Sequence, residues 1–189
     1  RSVRAGFVGA VTDELPSLVS PDGIEDISVG NPVEAANRVA DELSDGDESN
    51  GEADIVILLV HEGAVDVSRA AATDGTTRFG QIVNNADENI DAIVSGHTHL
   101  AYNHVIDGRP VISSGQYGER FSNMVIRYDT KSRSIVSMDN TIYTMATAFD
   151  DRGNVTSWLA ERNVLVDDLQ AGRRQLEQVF LKLTQERES

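Results

Sequence analysis

Three short apolar runs along the chain predict buried strands. Residues 3–11 (VRAGFVGAV) lead into a loop that contains Pro16, Pro21 and Gly23, and residues 54–60 (DIVILLV) and 90–94 (IDAIV) follow later. Continuous aliphatic runs rich in β-branched residues are typical of strands that are covered on both faces. The run at 54–60 therefore predicts a central strand.

Two other segments have helical periodicity. The first begins at Asn31, a capping residue, with Pro32 in the first turn and Glu34 spaced to reach back to the Asn31 backbone N–H. Its apolar positions are Val33, Ala36, Val39, Ala40 and Leu43. The second helix presents Phe79, Ile82, Val83 and Ala86 on one face. It separates strands 54–60 and 90–94, so we expect a right-handed crossover with both strand ends at one sheet edge.

The pattern changes to that of antiparallel sheet after residue 99. Residues 105–112 predict a hairpin with Asp107-Gly108 as its turn, because glycine readily adopts a positive φ. Residues 123–128 and 134–138 are expected to pair, and residues 141–145 are a candidate edge strand. From about residue 155 a helical pattern returns. We therefore predict one domain over 1–150 and a helical tail over 151–189, which either packs on the domain or, as we favour, is a linker.

Composition and charge exclude several classes of protein. A formal net charge of −15 argues against a groove for nucleic acid, and an anionic substrate would need local cations such as metal ions. The chain has no cysteine, so a metal would have to bind nitrogen and oxygen ligands. No apolar run is long enough to predict a membrane span. The acidic residues 41–52 predict a solvated loop; a cation-binding loop is the alternative, although its spacing is not that of an EF-hand.

Three of the four histidines follow the two crossover strands. His61 comes after strand 54–60, and His97 and His99 come after strand 90–94 in the stretch DAIVSGHTH. Ligands bind at the carboxyl edge of open α/β sheets, and imidazole is a common metal ligand. A single histidine after a strand is more often a hydrogen-bonding residue, but three converging ones predict a metal site. His104 is expected to be a surface or supporting residue.

These motifs resemble a known family. The stretches VILLVHEGA (56–64), DAIVSGHTHLAY (91–102) and VIDGRPVISSGQYGERFSNMVIRYD (105–129) are similar to the second half of a calcineurin-like metallophosphoesterase domain of the bacterial 5′-nucleotidase type. The resemblance covers about residues 3–145. It implies an α/β fold that forms part of a four-layer α/β/β/α sandwich.

The resemblance also implies a site and a reaction. Two divalent metal ions, such as Zn, Mn or Fe, would hydrolyse a phosphoric monoester, with His61 and His97 on one metal and His99 on the other. The substrate would be a nucleotide or another phosphomonoester, and the role would be in nucleotide catabolism. Enzymes of this kind are typically exported or cell-surface bacterial proteins, so we expect an extracellular or surface location.

The chain departs from the family pattern in its first half. The family's Asp-x-His, its metal-bridging Gly-Asp and its Gly-Asn-His-Glu do not occur in credible positions. The ligand set is therefore incomplete, no catalytic residue is assigned in this chain, and the chain alone is expected to be inactive. Because it also begins at Arg1 without methionine and enters apolar sequence at Val3, we expect a piece of a longer protein that needs the missing N-terminal half or a self-associated copy. The alternatives are a non-catalytic metal-binding or protein-interaction module and a cyclic-nucleotide phosphodiesterase.

Overall fold

The computed structural model describes residues 2–145. Within them the strands are β1 Ala5–Val11, β2 Ile55–His61, β3 Ala92–Ser95, β4 Ala101–Ile106, β5 Arg109–Ser114, β6 Arg120–Asp129 and β7 Ser134–Thr144. The helices are α1 Leu15–Leu18, α2 Pro32–Glu42, α3 Arg69–Ala72 and α4 Arg78–Asn85, with a 3₁₀ turn at Pro21–Gly23. The predicted tail, residues 151–189, lies outside the described residues.

The larger sheet contains five strands in the order β1-β2-β3-β5-β4. Strands β1, β2, β3 and β5 all run parallel to one another. Strand β4, at the edge of the sheet, pairs with β5 in antiparallel fashion. Strands β2 and β3 pair in parallel and α4 lies between them in the chain, which confirms that a helix joins two parallel strands; the right-handed sense of the crossover stays a prediction. The predicted hairpin is also present: Asp107 and Gly108 have φ values of 51° and 85°, as a two-residue type I′ turn requires.

Helices α2 and α4 cover one face of this sheet. Their apolar sides pack on the central strands through Val33, Ala36, Ala40, Phe79, Ile82, Val83, Val56, Leu58 and Val60. Asn31 caps α2 as predicted, since its side-chain oxygen accepts from the N–H groups of Val33 (3.0 Å) and Glu34 (3.4 Å). The Glu34 carboxylate differs from expectation: it accepts from the Asn31 side-chain amide at 3.3 Å instead of the backbone N–H.

The second sheet, β6 with β7, lies on the opposite face of the larger sheet. It packs against Ile55, Ile57 and Ala92 through Met124, Ile126, Tyr128, Ile135 and Met138. Helices, five-stranded sheet and two-stranded sheet are three successive layers, in agreement with part of an α/β/β/α sandwich. Strand β7 runs without interruption to Thr144, so the prediction of a separate edge strand over 141–145 is wrong.

One part of the larger sheet is left open by this arrangement. Strand β1 has a neighbour on one side only among the described residues. Three apolar side chains near it are exposed: Phe7 by 63%, Val11 by 49% and Leu59 by 42%. The small sheet covers Ile55 and Ile57 but does not reach these positions, so an apolar surface remains at this corner.

Two further expectations concern the surface of the molecule. Asp41 and Glu42 are the last residues of α2, so the solvated loop begins later than the predicted residue 41. Residues 44–51 are exposed and contain bends and turns, as predicted. In the part of the chain that the structure describes, no helix combines the length and the apolar character that crossing a membrane requires.

Candidate functional site

The ends of β2 and β3 bring two histidines together. His61 is the last residue of β2, and His97 lies two residues beyond the end of β3. The Nε2 atom of His61 is 3.1 Å from the Nδ1 atom of His97, and the rings meet edge to face with centroids 4.9 Å apart. Two imidazoles that are 36 residues apart in sequence therefore share one point at the carboxyl edge of the sheet.

The 3.1 Å separation between these nitrogens fits two arrangements, a hydrogen bond between the imidazoles and the binding of both to one metal ion. Without a metal, one neutral imidazole donates an N–H to the other. With a metal, two Zn–N bonds of about 2.0–2.1 Å at a tetrahedral angle place the nitrogens about 3.3 Å apart. The distance between the two nitrogens is therefore compatible with two ligands of one divalent cation.

The third predicted ligand, His99, has a different neighbour. Its ring packs edge to face against Tyr117, with centroids 5.2 Å apart. Among residues 2–145, histidine, aspartate and glutamate side chains form no group of three that could hold a metal ion. The described residues therefore present a pair of imidazoles, and a metal-binding role for His99 stays a prediction.

The backbone of the His97 segment is strained. His97 and His99 have φ values of 67° and 62°, in the left-handed region that costs L-residues roughly 1–2 kcal/mol each. The Thr98 N–H donates to the Gly96 carbonyl at 2.8 Å, so His97 is the central residue of a tight γ-type turn. Strain of this kind persists where the surrounding structure imposes it, and it is common at functional sites.

Close contact between two loops holds this strained turn. The Gly96 N–H donates to the Glu62 carbonyl at 3.1 Å, which joins the loop after β3 to the loop after β2. Gly63 makes the approach possible, because a Cβ atom there would collide with the Gly96 carbonyl oxygen and lie 2.5 Å from Thr98 Oγ1. The loop that directly follows His61 and the loop that contains His97 are thus held against each other.

A chain of buried hydroxyl groups lies beneath the two loops. The Ser95 hydroxyl donates to the Ile112 carbonyl at 2.8 Å, so at the 2.6 Å contact between Ser95 and Tyr102 the phenol is the donor. The Tyr102 oxygen accepts from the Ala64 N–H at 3.2 Å. Burial raises the pKa of Tyr102 above its ordinary value, so the phenol keeps its proton. This chain connects β3, β4 and β5 to the loop after His61.

His104 has a supporting position, as the sequence predicts. Its Nε2 is 3.0 Å from the Val67 carbonyl oxygen, which makes that nitrogen the donor. The ring stacks on Tyr102 with centroids 5.6 Å apart and an interplanar angle of 11°. His104 therefore ties the segment after β2 to β4 and has no contact with the His61–His97 pair among those described.

Sequence reasoning missed Glu62, which follows His61 directly. Glu62 is only 6% exposed. Its Oε1 accepts from the Gly63 N–H at 3.0 Å, whereas Oε2 is buried without a hydrogen-bond partner among the described residues. It lines a cavity of about 380 Å³ with Arg78, whose guanidinium binds Asp13 at 2.6 Å and Glu14 at 2.8 Å. The sequence signal that could have identified Glu62 is its position directly after His61, a candidate metal ligand at the end of a strand.

A second cavity includes His61 in its lining. It has a volume of about 640 Å³ and extends over the ends of β1, β2 and β3. Its lining is mostly apolar and includes Val11, Leu59 and Val94. The cavity therefore extends from Val11 and Leu59, at the open corner of the sheet, to His61.

Comparison with known proteins identifies related chains, although no protein-family model matches. The endonuclease YhcR of Bacillus subtilis is 27% identical over 134 residues, and the cell wall protein Lmo0130 of Listeria monocytogenes is 24% identical over 143 residues; each match covers 71% of this chain. The uncharacterized metallophosphoesterase YunD of Bacillus subtilis is 30% identical over 117 residues, or 61% of this chain.

A solved structure supports the same relationship at the level of the fold. A crystal structure assigned as a 5′-nucleotidase of Staphylococcus aureus superposes with a TM-score of 0.61 at 16% identity, covering 96% of this chain and 31% of that one. The chain spans only 10%, 18% and 22% of the lengths of YhcR, Lmo0130 and YunD. The resemblance to metallophosphoesterases is thus confirmed in sequence by YunD, and the fold is shared with the Staphylococcus aureus structure.

Proposed function

We propose that this chain supplies imidazole ligands to a divalent-metal-dependent phosphoric monoester hydrolase of the 5′-nucleotidase type. The observation that carries the proposal is the 3.1 Å separation of His61 Nε2 and His97 Nδ1 at the end of two parallel strands. Histidines fixed on strand ends are better oriented than histidines on free loops. Relationship to phosphoesterase enzymes supplies the reaction class.

The roles of the residues follow from this geometry. His61 and His97 would share one cation, and His99 would bind a second; Zn, Mn and Fe all accept imidazole nitrogen. Bound divalent cations lower the pKa of water and offset charge on the phosphoryl and leaving oxygens. They would also provide positive charge for a phosphate in a chain of net charge −15. The interlocked loops keep both imidazoles in place before any metal arrives.

The carboxylate ligands of such a centre would come from outside these 189 residues. Two or three imidazoles leave the charge of a metal pair uncompensated, so the chain alone would bind metal weakly and remain inactive. We propose that the missing N-terminal part of the domain, or a second copy of the chain, packs on the open corner at Phe7, Val11 and Leu59. Similarity to a cell wall protein supports an exported or surface location in a bacterium.

A metal titration tests the site directly. Co²⁺ binding to the 189-residue chain, followed by its d–d absorption, should weaken about 10-fold or more in His61→Ala and His97→Ala. His104→Ala is the matched control, because its ring contacts Val67 and Tyr102 and should leave the Co²⁺ affinity unchanged. His99→Ala separates the two cations: an unchanged first binding step is expected. Equal affinity in wild type and His97→Ala would refute the ligand assignment.

An activity assay can be interpreted only when every polypeptide in the sample is known. Intact mass spectrometry of the purified protein should come first, followed by phosphate release from adenosine 5′-monophosphate with Mn²⁺. A form that contains the additional carboxylate ligands should hydrolyse the nucleotide and lose that activity in His97→Ala. If such a form binds two metals but releases no phosphate, a non-catalytic module becomes the better description.

Phosphodiester hydrolysis is the second candidate, because the relative YhcR is named an endonuclease. Parallel assays with p-nitrophenyl phosphate and bis(p-nitrophenyl) phosphate distinguish the two ester classes. We expect preference for the monoester, which is the proposed substrate class; separately, the net charge of −15 disfavours a polynucleotide substrate. Cyclic nucleotides should be included as a third substrate.

A further inference from the structure

The loop between β5 and β6 contains an unusual tight turn. The Glu119 N–H donates to the Gln116 carbonyl at 2.9 Å, which closes a four-residue turn. Its central residues, Tyr117 and Gly118, have φ values of 51° and 71°. Positive φ at both central positions defines a type I′ turn, for which Asn-Gly and Asp-Gly are the preferred sequences.

The chain contains its own comparison for this turn. Asp107-Gly108 has nearly the same backbone, with φ values of 51° and 85°, and uses the preferred residue types. Tyr117 replaces the short polar side chain with a bulky aromatic one, for which positive φ is a true outlier. The turn geometry therefore does not explain the tyrosine.

Packing does not explain the tyrosine either. Tyr117 is 81% exposed, whereas Tyr102 is 4% exposed and belongs to the core. The Tyr117 ring packs edge to face with the His99 ring, with centroids 5.2 Å apart. His99 also has a positive φ of 62°. Both residues of this contact therefore have a strained backbone, and the exposed ring of Tyr117 lies beside His99, a candidate metal ligand.

We infer that Tyr117 is a substrate-binding residue whose ring stacks on the planar organic group of the phosphoester, such as a nucleobase. The inference rests on the proposed function and extends it by naming the contact that selects the leaving group. A neutral aromatic surface suits this role, because it attracts a planar base without further charge in an acidic protein. Base–aromatic stacking requires an exposed ring face, and Tyr117 is 81% exposed although its ring meets that of His99 at 61°.

Nuclear magnetic resonance of the 189-residue chain with ¹³C-labelled tyrosine tests this role. The chain has four tyrosines, and buried Tyr102 serves as an internal reference. Adenosine 5′-monophosphate at up to about 10 mM should shift the Tyr117 ring signals, and ribose 5-phosphate at equal concentration should not. No shift with the nucleotide, or equal shifts with both compounds, would overturn the inference.

Two variants separate binding from folding. Tyr117→Asn suits the turn and should be at least as stable to urea as the wild type, but should bind adenosine 5′-monophosphate about 5- to 100-fold more weakly. Tyr117→Phe keeps the ring and should retain the affinity, measured by saturation transfer to the adenine protons. A clear loss of stability in Tyr117→Asn would assign a structural role instead. Failure of the proposed function would appear separately, as unchanged Co²⁺ binding in His97→Ala.

Discussion

Gly63 lies against the carbonyl group of Gly96 with no room for a side chain at position 63. These residues belong to the loops that follow β2 and β3, and the loops are joined further by the hydrogen bond from the Gly96 N–H to the Glu62 carbonyl. We therefore expect the distance between the imidazoles of His61 and His97 to depend on Gly63, which is not itself a candidate metal ligand.

Gly63→Ala should separate the two loops. A methyl group at this position must displace backbone, and overpacking of this kind costs about 1–3 kcal/mol of unfolding free energy. We expect lower stability in urea together with weaker Co²⁺ binding. Gly9→Ala is the control, because a Cβ there meets nothing within 4 Å. Normal Co²⁺ affinity in Gly63→Ala would show that loop contact does not set the histidine geometry.

Tyr102→Phe should break the buried hydroxyl chain. The Ala64 N–H would lose its acceptor and Ser95 Oγ would lose a donor, which costs about 1–3 kcal/mol. Urea denaturation should show this loss, and Tyr117→Phe should show almost none because that hydroxyl is on an exposed ring. An equal effect of the two substitutions would contradict the importance of the chain of hydroxyls.

Asp91 gives a prediction about pH. Burial raises the pKa of the Asp91 carboxyl above its ordinary value of 3.8, although its Oδ2 accepts from the Val56 N–H at 2.7 Å. The folded state therefore holds this proton more tightly than the unfolded state, and the contribution of Asp91 to stability falls as pH rises from 3.8 through the folded pKa. The Asp91→Asn variant has no ionisable group at this position and does not lose stability in this way. The difference in unfolding free energy between Asp91→Asn and wild type should therefore shift in favour of the variant as pH rises.

Asp129 provides the opposite sign as a control. Hydrogen bonds from the Lys131 N–H and Ser132 lower its pKa below 3.8, so its stabilising contribution is present above 3.8 and is lost as pH falls. The stability of Asp129→Asn relative to wild type should therefore decrease with rising pH. Urea denaturation between about pH 3 and pH 7 measures both differences; slopes of the same sign would refute the assignment of burial as the cause at Asp91.

The open corner of the sheet predicts association. Exposed apolar surface next to an edge strand promotes contact with another chain, so sedimentation of the 189-residue chain should show self-association that Phe7→Ser reduces. Val136→Ser is a matched control, since Val136 is 66% exposed on β7, far along the chain from this corner. A monomer at all concentrations, or equal effects of both substitutions, would count against a partner at Phe7.

The sequence by itself determined the strands, the crossover and the meeting of His61 with His97. Parallel strands joined by a helix end at the same edge, so the order of apolar runs was enough to bring those two residues close. The Asp107-Gly108 turn was equally predictable, because few residue pairs accept two positive φ values.

Only the tertiary structure decided the rest. His97 and His99 both adopt positive φ, which no pattern in the sequence predicts, and the His99 ring lies against Tyr117. The Tyr102 chain and the Gly63 contact join residues from separate loops and strands, whose distances are set by packing and carry no local pattern. The open corner at Phe7 likewise depends on how far the small sheet extends, which the apolar run of β1 does not encode.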